Sequence, residues 1–205
     1  MNLLVLGATG ATGALLIEQA VAAGNNVTAL VRSPDKVSTN HSNLRIITGQ
    51  ATKAADVTSA MAGAHAVIST LGAPKGTVMT DAVRAIVAAC EAHDDVRRIV
   101  MLSTFALERD RLTAFTKVLS GITMRSALKD RSIAEEILRS SDRDWIIAHA
   151  ARLTNKAASG KAQELPNGTH ISMSQTISRA DLAAWLLEAA TSASQGVRRE
   201  VLLAG

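Results

Sequence analysis

Apolar and polar positions along the chain follow two alternating patterns. Short, mostly apolar runs predict buried strands, and longer stretches with apolar residues at every third or fourth position predict helices. The predicted strands are 2–6, 26–31, 44–48, 64–70, 97–103, 144–150 and 199–205. The predicted helices are 14–23, 53–61, 77–93, 126–141 and 178–192. Ser178 opens the last helix as a predicted N-cap, with Asp181 three residues later.

Strands that alternate with helices are typical of right-handed βαβ units. The pattern therefore predicts an α/β fold with a doubly wound parallel sheet. A chain of 205 residues is long enough for a single domain of this kind, spanning 1–205. Residues 104–125 and 151–177 lack a regular pattern and follow predicted strands. We expect these two loops to form the substrate side of the ligand crevice.

Composition narrows the class of protein. Apolar residues make up 47% of the chain and charged residues 20%, which is typical of a globular protein. We expect no membrane partner, because no apolar run reaches the roughly 18 residues of a membrane span. The net charge of +4 is dispersed and aromatic residues are scarce, so we expect no nucleic-acid partner. Cys90 is the single cysteine, which favours a cytoplasmic localisation, and we expect a monomer or small homo-oligomer.

Three glycines follow the first predicted strand at intervals of three, in the stretch GATGATG. Gly7 would allow a tight turn, Gly10 the close approach of a pyrophosphate, and Gly13 close packing of the helix against the strand. Backbone N–H groups at a helix N-terminus bind phosphate well. The spacing differs from the usual G-x-G-x-x-G, and a merely tight turn is the alternative. The position between strand and helix favours a dinucleotide site.

The second predicted strand ends in the stretch VRSPDK. An Asp or Glu at this point commonly binds the ribose hydroxyls of NAD, and this chain has neither at the strand end. The guanidinium of Arg32 suits a 2′-phosphate through its charge and its planar set of donors. We therefore predict NADP(H) rather than NAD(H) as the cofactor, with a solvated surface arginine as the alternative.

Several stretches together resemble a known family: GATGATG, VRSPDK, STLGAP, MLST and AEEILRSSDRDWIIAHAARLTN. They resemble the atypical short-chain dehydrogenase/reductase group with an NAD(P)H-binding (NmrA-like) domain. Within that group the chain is most similar to the branch of biliverdin-IXβ reductase/flavin reductase and its bacterial relatives. The resemblance covers nearly the whole chain and implies a Rossmann-type doubly wound sheet.

The resemblance also implies a set of cofactor-binding residues. These are Gly7, Thr9, Gly10, Ala11 and Thr12 at the pyrophosphate; Arg32, Ser33 and Lys36 at the 2′-phosphate; Gln50 and Ala51 at the adenine; and Thr70, Leu71 and Gly72 at the nicotinamide ribose. At the adenine the family's Gly-Asp pair reads Gly49-Gln50 here, so an amide replaces the carboxylate.

The chain departs from the wider superfamily in its proton donor. Ordinary members use a Tyr-x-x-x-Lys pair on a helix, and this chain contains no tyrosine, so composition alone excludes that mechanism. When RSIAEEIL is aligned on the corresponding helix, Ala127 stands at the tyrosine position and Arg131 at the lysine position. Arg131 could bind the ribose hydroxyls, but a guanidinium does not act as an acid near neutral pH.

The candidate catalytic residues are Ser103, Thr104, His149 and Arg152. The family keeps an active-site hydroxyl where Ser103 and Thr104 stand. Its biliverdin-reductase branch has a substrate-side histidine that aligns with Arg152 and not with His149. His149 is either a proton donor or a histidine packed under the loop. Arg152 either binds an anionic substrate or the cofactor, or forms a structural salt bridge.

We predict no metal site. His41, His65, His93 and His170 are scattered, without a spacing typical of metal ligands.

These observations predict an NADPH-dependent oxidoreductase that transfers a hydride to a small-molecule acceptor. A flavin, a quinone or a biliverdin-like conjugated acceptor fits best, because positioning supplies much of the acceleration and solvent can provide the proton. The alternative is a non-catalytic NADP-sensing regulatory protein of the NmrA-like kind, which the missing tyrosine fits equally well. The short chain and the retained Ser103-Thr104 pair favour the enzyme. An epimerase-like or dehydratase-like use of the cofactor is less favoured, because it normally needs the tyrosine.

Overall fold

A computed structural model of the chain describes residues 1–114, 117, 124–172, 174–192 and 198–205. The strands are β1 Asn2–Leu6, β2 Asn26–Val31, β3 Leu44–Thr48, β4 Ala66–Ser69, β5 Arg98–Thr104, β6 Trp145–Ala150, β7 Arg152–Thr154, β8 Gln163–Glu164, β9 Thr176–Ser178 and β10 Arg199–Ala204. The helices are α1 Ala11–Ala22, α2 Ala54–Met61, α3 Val78–Cys90, α4 Arg125–Arg139 and α5 Arg179–Thr191. Within the described ranges, none of them is long and apolar enough to cross a membrane.

Eight strands form one sheet in the order β3-β2-β1-β4-β5-β6-β10-β8. Neighbouring strands pair in parallel except β10 and β8, which are antiparallel. The chain starts at β1 in the interior, builds outward to β3, and then crosses back to β4. This reversal of direction beside β1 is the switch point of a doubly wound sheet. The predicted Rossmann-type α/β fold is confirmed.

The predicted elements lie where expected, with ends that differ by up to three residues. Helix α1 begins at Ala11 and not at residue 14, because it starts directly after the glycine turn, where the Ala14 N–H donates to Gly10 O at 2.8 Å. Helix α3 ends at Cys90 and not at residue 93, because the following N–H groups bond to carbonyls only three residues back. Ser178 caps α5 as predicted, its hydroxyl accepting from the Asp181 N–H at 3.0 Å.

The sheet is buried on both faces, which explains the unbroken apolar run of its first strand. Leu3 and Val5 pack on the face covered by α1 and α5. Leu4 and Leu6 pack on the opposite face, which α2, α3 and α4 cover. A strand that alternates between two buried faces needs apolar residues at every position.

The described parts of the two predicted substrate-side loops contact each other. The Arg111 guanidinium donates to the carbonyls of Thr169 at 3.1 Å and Pro166 at 2.7 Å. Leu112 and Ile171 pair as an isolated parallel bridge, and both side chains are buried. Within these loops, residues 115–116, 118–123 and 173 lie outside the described residues. One loop is thus joined to the other at Arg111 and Leu112.

Candidate functional site

A cleft of about 350 Å³ opens at the carboxyl ends of the first four strands. It is lined by residues of the four loops that follow β1, β2, β3 and β4, including Gly7, Thr9, Arg32, Gln50, Ala51, Leu71 and Gly72. These residues, which lie far apart in the sequence between 7 and 72, therefore line the same cleft. All seven belong to the predicted cofactor-binding set. Dinucleotides bind at this edge of doubly wound sheets.

The glycine turn fits a phosphate group. Gly7 has a φ of +88°, a backbone conformation that favours glycine. A Cβ at Gly13 would lie 2.1 Å from Gly7 O, so helix α1 packs directly on the turn. A Cβ at Gly10 would meet only Gly7 O, at 3.2 Å, so the space above Gly10 is otherwise open. No side chain caps α1, which leaves the N–H groups of its first turn available to an anion.

The other residues predicted at the pyrophosphate and nicotinamide differ in exposure. Thr9 and Ala11 are exposed, whereas the side chain of Thr12 is buried at the start of α1. The Thr70 hydroxyl lies behind the turn and bonds to the carbonyls of Leu6 at 3.2 Å and Gly7 at 3.3 Å. Thr70 therefore braces the glycine turn from β4.

Among the residues predicted at the 2′-phosphate, Arg32 is exposed and lines the cleft directly after β2. Ser33 and Lys36 flank the short turn that follows, Ser33 half-buried and Lys36 exposed. The loop after β3 is held in place by Asp56 of α2, whose Oδ2 accepts from the Gln50 N–H at 2.7 Å. Asp56 was not among the predicted residues, yet it fixes the loop predicted to contact adenine.

Arg131 on α4 lies beside the loop that follows β4. Its Nη2 is 2.9 Å from the point where a Cβ at Gly72 would stand, and its Nη1 bonds to Leu102 O at 3.4 Å. Burial lowers the pKa of Arg131, although Glu135 and Asp130 oppose the change. The structure therefore places Arg131 next to Gly72, a pair that the resemblance assigns to the nicotinamide ribose.

Ser103 and His149 are register partners at the carboxyl ends of β5 and β6. Glu135 of α4 lies between their side chains. The Ser103 hydroxyl donates to Glu135 Oε1 at 2.5 Å, and His149 Nε2 is 3.3 Å from the same oxygen. His149 Nδ1 is 2.7 Å from Glu108 Oε1. The serine and the histidine are thus linked through one buried carboxylate.

Two further residues complete this cluster. Glu200 Oε2 of β10 lies 3.5 Å from His149 Nε2. The Arg139 guanidinium contacts Glu200 Oε1 at 2.5 Å and Glu135 Oε2 at 2.8 Å. We refer to the whole set as the Ser103 network; its members are Ser103, Glu108, Glu135, Arg139, His149 and Glu200. Its centre is buried, with 1% of the His149 side chain exposed, and its rim reaches solvent, with 32% of Glu200 exposed.

Charge pairing dominates the electrostatics of the Ser103 network. Burial alone lowers the pKa of His149, but the contacts with Glu108 and Glu135 outweigh it and raise that pKa to about 9. His149 is therefore an imidazolium at neutral pH. Its contact lowers the pKa of Glu108. Burial opposes the same change at Glu135, yet His149, Ser103 and Arg139 hold the pKa of that carboxyl below its usual value.

The other two candidate catalytic residues are more exposed than this buried centre. The Thr104 hydroxyl accepts from the Ala106 N–H at 3.4 Å and caps the turn Phe105–Leu107. Arg152 is exposed on β7. His149 lies under Glu108, which is the arrangement of a histidine packed beneath a loop. Catalytic roles for these residues stay predictions.

Glu108, His149 and Glu200 place their donor atoms within 4.8 Å of one another, a spacing that a cation could bridge. Two positive groups already form ion pairs with these carboxylates, the His149 imidazolium and the Arg139 guanidinium. The donor set is therefore satisfied as an ion-pair network, and the absence of a metal stays a prediction.

Three acidic members of the network were not predicted from the sequence. Glu135 follows Arg131 by four residues, so both lie on one face of α4, and this spacing could have indicated it. Glu108 and Glu200 carry no local pattern, because only the fold brings them to His149.

Comparison with known proteins gives one family match and many similar structures. The family model described as NAD(P)H-binding matches residues 7–193. ChuY, described as an anaerobillin reductase from Escherichia coli O157:H7, is 26% identical with a TM-score of 0.81, over 99% of this chain and 96% of that one.

Two more distant structures share the fold. A short-chain dehydrogenase/reductase from Veillonella parvula DSM 2008, solved in complex with NADP, is 19% identical with a TM-score of 0.82, over 100% of this chain and 94% of that one. The oxidoreductase ylbE from Lactococcus lactis is 19% identical with a TM-score of 0.78, over 99% and 90%.

Proposed function

This chain belongs to the NAD(P)H-binding family, and from that premise we propose that it is an NADPH-dependent oxidoreductase that reduces a flavin, a quinone or a biliverdin-like conjugated acceptor. One observation carries the proposal. The cleft at the carboxyl edge of β1 to β4 brings together a glycine turn, an exposed arginine and the loops predicted for adenine and nicotinamide.

Different residues in and beside the cleft would bind different groups of the cofactor. The open side of Gly10 and the uncapped start of α1 would bind the pyrophosphate. Arg32 would bind the 2′-phosphate, a group that NADP has and NAD lacks. Arg131, beside Gly72, would bind hydroxyls of the nicotinamide ribose. When bound, NADPH would supply a hydride to the acceptor.

Two features support a conjugated acceptor. The chain lacks the tyrosine that ordinary relatives use as an acid, and such acceptors need less help from one. Its likeness to ChuY, described as an anaerobillin reductase, favours a biliverdin-like molecule among the three classes. The acceptor would lie against the loops joined at Arg111 and Leu112.

NADPH oxidation, followed by its absorbance, tests the proposal with FMN, menadione and biliverdin as acceptors. We expect steady turnover with at least one of them and a lower KM for NADPH than for NADH. Calorimetry with NADP measures binding independently of turnover. Tight NADP binding with no turnover of any acceptor would contradict the enzyme and favour the cofactor-sensing regulator instead.

A further inference from the structure

We propose that Glu200, His149, Glu135 and Ser103 form a proton relay that delivers a solvent proton to the bound acceptor and so replaces the missing tyrosine. The proposal rests on the proposed function, because it requires an acceptor reduced beside Ser103. It adds a proton path that begins at the protein surface on β10 and ends at the carboxyl edge of β5.

The side chains of the relay form a continuous series. Glu200 Oε2 is 3.5 Å from His149 Nε2, and His149 Nε2 is 3.3 Å from Glu135 Oε1. The Ser103 hydroxyl bonds to that same Glu135 oxygen at 2.5 Å. One end of the series is open to water at Glu200, whereas Glu135 and His149 are almost fully buried. Ser103 and Glu135 share a hydrogen bond, and His149 Nε2 lies within 3.5 Å of a carboxylate oxygen on either side, so the series runs from the surface to Ser103 without crossing bulk solvent.

The inner end of the relay lies close to the predicted nicotinamide site. Arg131 and Glu135 are four residues apart and share one face of α4. Arg131 reaches Leu102 O and the surroundings of Gly72, and Glu135 reaches Ser103, the residue after Leu102. Ser103 thus contacts the residue that lies about one helical turn after the one predicted to bind the nicotinamide ribose.

The protons balance over one turnover. Reduction of a two-electron acceptor A to AH₂ by NADPH consumes one hydride and one proton. The Ser103 hydroxyl turns from Glu135 to the acceptor, its Oγ–H bond breaks as that proton passes to the acceptor, and Ser103 Oγ takes back a proton that Glu135 relays from His149. Glu135 takes its proton from His149 Nε2, and Glu200 passes one from water to the same nitrogen. The network ends each cycle with the protons it began with.

The charged groups around His149 suit this task. Glu108 lies at Nδ1 and so keeps that nitrogen protonated, which leaves Nε2 as the atom that exchanges its proton. Arg139 neutralises Glu200 and Glu135. Arg111 lies 3.9 Å from Glu108, and Arg131 faces Glu135. The pKa of His149 is raised to about 9, so the imidazole carries its relay proton at neutral pH.

A purely structural ion-pair network would share many of these contacts, so the test needs readouts that only a relay moves. The first uses the protein without cofactor. We expect Glu200→Gln to slow the exchange of the His149 Nε2 proton with water, measured by ¹⁵N NMR. The matched control is Glu136→Gln, whose side chain binds Arg139 from solvent and is 72% exposed. Equal exchange rates in Glu200→Gln and the wild type would overturn the outer half of the relay.

The second readout is the single-turnover rate of NADPH oxidation with the acceptor reduced fastest in the panel above. Glu135→Gln keeps the shape of the side chain and removes its titration, so we expect a loss of about 100-fold in rate and no change in NADP affinity. Ser103→Ala should lose as much, and the double variant no more, because the two residues act in series. Glu136→Gln should match the wild type.

The outcomes separate the relay from the proposed function. Wild-type turnover with an unchanged rate in Glu135→Gln, or additive losses in the double variant, would overturn the relay and leave the reductase intact. NADP binding without turnover of any acceptor would overturn the reductase and the relay with it.

Discussion

The two sides of the sheet's carboxyl edge are built in different ways. The cleft after β1 to β4 is shaped by backbone: a positive φ at Gly7, a contact that only glycine permits at Gly13, and an uncapped helix start. The Ser103 network, at the carboxyl ends of β5 and β6 and the start of β10, is shaped by ionised side chains from four separate segments. Backbone geometry does not titrate, whereas a cluster of carboxylates around an imidazolium does. The cleft should therefore respond to added volume, and the network to pH.

The largest loss of stability should come from adding one carbon atom at the glycine turn of the cleft. A Cβ at Gly13 would stand 2.1 Å from the backbone oxygen of Gly7, and neither atom can move away without a shift of the backbone. We expect Gly13→Ala to lower the free energy of unfolding by about 3 kcal/mol or more, measured by urea denaturation. The matched control is Gly10→Ala, whose Cβ would meet a single atom, Gly7 O, at 3.2 Å; it should lose far less stability than Gly13→Ala, stay folded and lose NADP affinity. Equal stability of the two variants would contradict this account of the turn.

The next largest effect is a loss of stability in the Ser103 network as the pH rises. The pKa of His149 is raised to about 9 in the folded protein from an ordinary value of 6.5. The stability it contributes is therefore fully present below pH 6.5 and is lost as the pH rises through about 9. We expect the wild type to lose roughly 3 kcal/mol of unfolding free energy over that range, and His149→Gln to lose far less.

Urea denaturation at several pH values measures this difference. His170→Gln, the same change at an exposed histidine, should behave as the wild type. Parallel pH profiles of the wild type and His149→Gln would show that the carboxylates do not hold the imidazolium. On the acid side, the lowered pKa values of Glu108 and Glu135 predict a second loss of stability below their usual titration range.

A smaller change tests the one charged residue of the cleft. Arg32→Glu should weaken NADPH binding about 100-fold and leave NADH binding nearly unchanged, because only NADPH carries the 2′-phosphate. Calorimetric titration of both cofactors measures the ratio. Arg45→Glu makes the same change of charge on the exposed surface of β3, away from the cleft, and should alter neither affinity. Equal losses for the two cofactors in Arg32→Glu would refute the NADP assignment.

The smallest effect should occur at a buried carboxylate whose partners do not titrate. Asp181 accepts hydrogen bonds from the hydroxyls of Ser178 and Ser159 and from the Gly160 N–H. Burial alone raises the pKa of Asp181, but these bonds lower it overall, so it stays ionised at neutral and alkaline pH. Ser178→Ala should cost about 1 kcal/mol by urea denaturation, equally at pH 6.5 and 9. If the loss of stability in Ser178→Ala changed between pH 6.5 and 9, Asp181 would not differ from His149 in its response to pH, which would contradict this prediction.

The same division explains what the sequence could predict. Strands β1 to β6 and β10, the helices and the glycine turn follow from local patterns: apolar runs, helical spacing, and glycine where the chain must turn. The short strands β7, β8 and β9 were not predicted, because they lie almost wholly in the stretch 151–177, which lacks such a pattern. The cleft was predictable because its residues directly follow strands β1 to β4, and a parallel sheet places the carboxyl ends of its strands at one edge.

The Ser103 network was only partly predictable. Ser103 was a candidate on the strength of the resemblance, and His149 was one because an imidazole can donate a proton near neutral pH. The contact between them passes through Glu135, and Glu108 and Glu200 lie far away in sequence. Side chains that meet only through tertiary packing leave no periodic trace. The sequence also left open whether His149 faces the acceptor or packs under the loop, and that depends on the loop carrying Glu108.

The junction at Arg111 has a consequence for how proteins of this shape diverge. The Arg111 guanidinium holds the carbonyls of Pro166 and Thr169, and Leu112 pairs with Ile171. A length change in either loop would break bonds made by the other, so we expect the two loops predicted to face an acceptor to change together. New acceptor preferences should then arise by paired substitutions about 55 positions apart, which is the separation of Arg111 from Pro166.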